Sequence, residues 1–149
     1  MGLFSNLRGK GADNALDIST AVMVPIVSAM LADGQIDDHE VAQIRSLCAW
    51  SPIYARNSAD RDTEIILHTI RLIEDQGIEQ MCRRASSALS PSLRETAFAF
   101  ATRIVFSDGH VGVKEQQLIE SLTDWLNIEE PRARMLVESV SIMQHDAKA

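Results

Sequence analysis

The chain has 149 residues, enough for one domain with a real core, and its 46% hydrophobic and 23% charged composition excludes disorder of the body. A net charge of -7 excludes general nucleic-acid binding, which needs clustered Lys and Arg. The two cysteines, Cys48 and Cys82, stand far apart with no CxxC pattern; this excludes a disulfide framework, fits a reducing compartment and reads as two small core residues.

Residues 1–12 form a short amphipathic or flexible opening, "MGLFSNLRGKGA", in which Leu3, Phe4 and Leu7 make a one-turn apolar patch beside Arg8 and Lys10. It is too short and too weakly apolar for a signal peptide, and Asn6 stands where a myristoylation start needs Ser or Thr. Residues 13–145 read as one all-helical domain and 146–149 as a tail. The first long helix is expected over 13–32, with Pro25 kinking it or opening a new one, and Gly34 ends it. The apolar run 21–32 falls short of the roughly 20 residues that span a bilayer, so no transmembrane segment is expected. Asp37 and Glu40 stand at capping-box spacing and open a helix with Val41, Ile44, Leu47 and Cys48 on one face, ending near "WSP" at 50–52. A polar connector, "YARNSADRD", follows. Ser58 or Asn57 caps a helix running to Gln76, which Gly77 closes, and a shorter helix covers 78–88. Ser90 and Pro91 restart the chain as a helix over 91–107 that buries Phe98, Ile104 and Val105, and Gly109 ends it. A helix over 113–126 turns Leu118, Ile119 and Leu122 inward. A last one starts at "EEP" (129–131), with Met135, Leu136 and Val140 facing the core. Six or seven helices with short loops make an all-α domain.

The chain repeats itself at an offset of 75. Over 33–50 and 108–125 the identical pairs are Asp33/Asp108, Gly34/Gly109, Glu40/Glu115, Ile44/Ile119, Ser46/Ser121, Leu47/Leu122 and Trp50/Trp125, with Ile36/Val111 conservative. The repeated unit is a helix, an Asp-Gly turn and a second helix, and two such hairpins bury a core that neither could close alone. The glycines supply left-handed residues at helix ends, Ile36 and Val111 plug the loops into the core, and the tryptophans are expected to cover the ends of the buried faces. Glu40 serves a capping box with Asp37; Glu115 has Gly112 at the capping position. Asp33 and Asp108 are less easily explained. Near a helix C-terminus a carboxylate is disfavoured by roughly 0.3–1 kcal/mol. Either each accepts N–H bonds from its own turn, or a cation sits beside it.

Asp-Gly-x-(Ile/Val)-x-x-x-Glu matches the second half of a calcium EF-hand loop. The first half fails, because its first and third ligand positions fall on Ala29 and Leu31, and on Ile104 and Phe106. The metal candidates are therefore Asp33, Glu40, Asp108 and Glu115, with Asp37 and Asp38 as additional ligands, in a reduced site for Ca or another divalent cation. The first loop carries more charge and should bind more tightly.

In "LADGQIDDHE", "FSDGHVGVKE" and the opening "MGLFSNLRG", the chain resembles the TerB-like family of bacterial tellurite-resistance proteins. The resemblance implies a compact fold of about seven helices, an acidic surface for divalent metal, calcium foremost, and no catalytic activity. It implies a cytoplasmic component of stress-response complexes, with protein partners at the inner-membrane surface. Gly112 and Val113 depart from the more acidic loop expected there. The alternative is a metal-independent structural and interaction domain whose acidic residues are helix caps.

Enzyme signatures do not emerge. The chain has no Gly-rich phosphate loop, GxSxG or HExxH. Glu64-x-x-x-His68 has the wrong spacing for a di-iron bundle and reads as an i,i+4 pair, while His39 and His110 read as exposed. No organic cofactor is expected.

Overall fold

The computed structural model describes residues 15–32, 34–107 and 109–148. The opening segment 1–12, its boundary at residue 13, and both Asp33 and Asp108 lie outside the described residues. Among the described residues there are seven helices and no strand: α1 (Ile18–Leu31), α2 (Asp38–Cys48), α3 (Ala59–Gln76), α4 (Ile78–Ala88), α5 (Pro91–Val105), α6 (Val113–Trp125) and α7 (Glu130–Ile142).

Caps place most of the boundaries. The first helix starts at Ile18 and not at 13, because Asp17 adopts extended backbone and its Oδ1 accepts from the N–H of Thr20 at 2.8 Å. Burial pushes the Asp17 carboxyl up, but hydrogen bonds from Thr20 and Ser19 outweigh it and hold its pKa below the usual value. Ser58 and Ser90 cap α3 and α5 through Arg61 and Leu93, with Pro91 at the first helical position. The α5 helix stops at Val105, two residues before the expected end, and α6 at Trp125, one before. Pro25 sits inside one continuous α1. Beyond α7, residues 145–148 are not helical.

The core forms around α1. Eleven of its residues, from Thr20 to Met30, are buried, and α5, α3 and α4 are its main neighbours. A helix with apolar residues all round can only be stable as the centre of such a cluster. Ser28 and Thr102 are fully buried in the helices but satisfied, donating to the carbonyls of Val24 and Phe98.

The two hairpins meet through α1 and α5, which run antiparallel. The Tyr54 hydroxyl donates to the carbonyl of Ser19 at 2.7 Å, tying the chain after α2 to the start of α1. Leu47 and Trp50 share a shallow pocket with Arg103, Ile104 and Ser107, so the end of α2 also meets the end of α5. At the other pole Asn127 donates to Ser86 at 3.1 Å and stands beside Arg94 and Glu95. The α7 helix lies parallel to α5: Arg132 bonds Glu95 near both starts, at 3.2 Å from Nη2 to Oε1. Near both ends, the Gln144 amide faces Arg103 and the Phe106 carbonyl.

Several local expectations are corrected. Tyr54 is not part of a polar connector; it is 1% exposed and fills the core at the end of α2. Trp50, expected to cover that end, is displaced outward and 88% exposed, whereas its repeat mate Trp125 packs against the core. Met135 is 43% exposed; Ala133 and Val140 are the buried residues of α7. Glu64 pairs with Arg61 at 3.3 Å rather than with His68.

Candidate functional site

The two loops repeat one turn hydrogen bond. The N–H of Gly34 donates to the carbonyl of Leu31, and the N–H of Gly109 to that of Phe106, both at 3.0 Å and at positions offset by 75. Both glycines have positive φ, 129° and 74°, where a side chain would be strained. Ile36 and Val111 both pack against the core, as the repeat requires.

The glutamates turn back toward their loops in both halves. In the first, Glu40 Oε2 accepts from the N–H of Asp37 at 3.0 Å, while Asp37 Oδ1 accepts from the N–H of Glu40 at 2.9 Å: a complete capping box. In the second, Gly112 is the N-cap and has no side chain to give. A Cβ added there would lie 2.6 Å from Glu115 Oε2, so the carboxylate is folded over the glycine. Gly112, a departure from an acidic loop in the sequence, makes room for Glu115. Asp38 and His39 are exposed in the first turn of α2, and His110 is exposed in the second loop.

The capping box gives a direct prediction. Asp37→Ala removes the acceptor for the Glu40 N–H and should cost about 1 kcal/mol in urea unfolding. Glu40→Gln keeps an acceptor oxygen and should be nearly neutral. Equal losses in the two variants would show that the Glu40 charge matters to the fold beyond its cap.

Because α1 and α5 are antiparallel, the two loops stand at opposite poles. Fourteen residues of α1 set them about 20 Å apart. An ion at one loop therefore draws on that loop's donors alone. Among the described residues no three His, Cys, Asp or Glu side chains gather into a metal-binding group. The candidate donors are oxygens throughout, which suits a hard ion such as Ca²⁺ or Mg²⁺; both cysteines are buried.

The family assignment rests on the whole helical pattern. The family model described as tellurite resistance protein TerB matches residues 19–136, from the first turn of α1 into α7. The chain belongs to the TerB family. No curated protein and no solved structure matches it. The TerB match spans both Asp-Gly loops and runs from α1 into α7, so the doubled hairpin lies within the family's domain.

Sequence reasoning missed a groove beside the second loop of this TerB domain. It is about 730 Å³, lies between α6 and α7, and has an apolar floor of Phe106, Val111, Ile119 and Val137. Glu120, Asp124, Glu130 and Glu138 border it, against a single cation, Arg134, which pairs with Glu130 at 3.0 Å. The available signal was the run of acidic residues on two consecutive helices. Among the described residues no helix is long and apolar enough to cross a membrane.

Proposed function

We propose that this TerB module is a non-enzymatic, cation-responsive interaction domain. Asp33 with Glu40, and Asp108 with Glu115, hold a divalent cation, calcium foremost; Asp37 and Asp38 add to the first site. One observation carries this reading. Both halves repeat the same turn bond at the glycine, and in both the following glutamate folds back over the N-cap of its own helix, three residues after that glycine. Backbone carbonyls and water would complete each shell. The charged module then acts in a tellurite-resistance or related stress system, docking protein partners in the cytoplasm at the inner-membrane surface.

The complete capping box at Asp37 and Glu40 favours a second reading, a metal-independent interaction domain. Amide NMR during calcium and magnesium titration separates them. Saturable shifts centred on Gly34 and Gly109, lost in Asp33→Asn/Asp108→Asn, are expected for the ion site. Small, scattered, non-saturating shifts in both proteins would leave the caps as the whole explanation.

A further inference from the structure

We infer that the groove between α6 and α7 is the docking site of this chain's own opening segment, residues 2–10. The groove has an apolar floor and four bordering carboxylates, and its one arginine is already paired. Neither Glu120 nor Glu138 has an ion-pair partner among the described residues. It calls for an apolar stripe flanked by cations. The opening segment has that chemistry: Leu3, Phe4 and Leu7 fall on one face of a helical turn, Arg8 and Lys10 follow, and no acidic residue precedes Asp13.

The topology puts the two within reach. The start of α1 lies at the same pole as the end of α5, and Phe106, the residue after α5, forms part of the groove floor. Residues 9–15 span at most about 25 Å when extended, while packed helix axes lie about 8–10 Å apart. A linker of that length is enough to cross two packed helices from the residues before Asp17. The occupant is monovalent and tethered, so docking is favoured by a high local concentration. This does not depend on either Asp-Gly loop binding an ion.

A nitroxide tests this in the full-length chain. Ser5→Cys places the label off the apolar face, and the native Cys48 and Cys82, 1% and 0% exposed, stay unlabelled. The amides of Ile119, Thr123 and Val137 should lose most of their intensity, while that of Leu67 on α3 should not. Arg8→Glu/Lys10→Glu should abolish the loss, and adding Glu120→Lys/Glu138→Lys should restore it; these two glutamates are exposed, so the fold is retained. Broadening confined to Ile18, Trp50 and Met143, the exposed apolar residues of the same pole, would overturn the inference, as would no broadening at all. So would broadening that appears only when labelled chains are mixed with separate isotope-enriched chains, which would make the occupant a second copy.

Discussion

Phe98→Ala should lower stability by about 3–5 kcal/mol, the largest loss expected from any single truncation in this domain. Phe98 is 0% exposed on α5, the helix with the most extensive packing on α1. Its neighbours cannot close over the lost ring. The central helix α1 is buried along eleven consecutive residues and held from several sides, so a shift to fill the cavity would disturb every other interface. Phe100, only partly buried, provides the comparison: Phe100→Ala should cost less. Equilibrium urea unfolding of the pair checks this. A Phe98→Ala loss no larger than that of Phe100→Ala would mean that the α1–α5 contact is not the centre of the fold.

Both thiols should be silent in the native protein. Burial pushes the pKa of Cys48 from 9.0 up to about 12, with the nearby Asp62 adding to the shift. It does the same to Cys82, to about 12, where the contact with Ser28 at 3.7 Å only partly opposes it. Three pH units lower the native thiolate fraction about a thousandfold, before any loss of access is counted. At pH 8, alkylation should follow global unfolding and speed up sharply in urea. Native labelling as fast as labelling of the unfolded chain would contradict this burial.

The same shifts fix the sign of an alkaline transition. The native pKa values exceed the unfolded ones, so below pH 9 both states hold these protons and stability does not change on their account. Above pH 9 the unfolded chain ionises and the native one does not. Each thiol then removes about 1.4 kcal/mol per pH unit, until the native pKa near 12 is reached. Tyr54, also raised by burial, adds to the slope above pH 10. Cys48→Ala/Cys82→Ala should be less stable at pH 7 because of the lost volume, yet show a shallower fall between pH 9 and 11.

Much of this domain was legible before any coordinates. Asp17, Asp37, Ser58, Ser90 and Pro91 carry helix starts in their own side chains, and Gly34, Gly77 and Gly109 carry helix ends in their backbone freedom. The offset of 75 revealed the duplicated hairpin, because a repeat is a property of the sequence itself. The first helix is shorter than its apolar run predicts because Asp17, three residues before Thr20, caps it.

What only the tertiary structure decided is where equivalent residues end up. The tryptophans are equivalent in sequence, yet Trp50 is exposed and Trp125 packed, and it is Tyr54 that fills the core at the end of α2. The two loops share one turn hydrogen bond and a positive glycine φ, and the antiparallel pairing of α1 with α5 sends them to opposite poles. The acidic run on α6 and α7 could not by itself place the groove between them, since its floor residues Phe106, Ile119 and Val137 come from three separate stretches of chain. Local hydrogen bonding acts between near neighbours in sequence and is written there. Burial depends on which distant segment competes for the same space, and that competition is settled only when all seven helices pack.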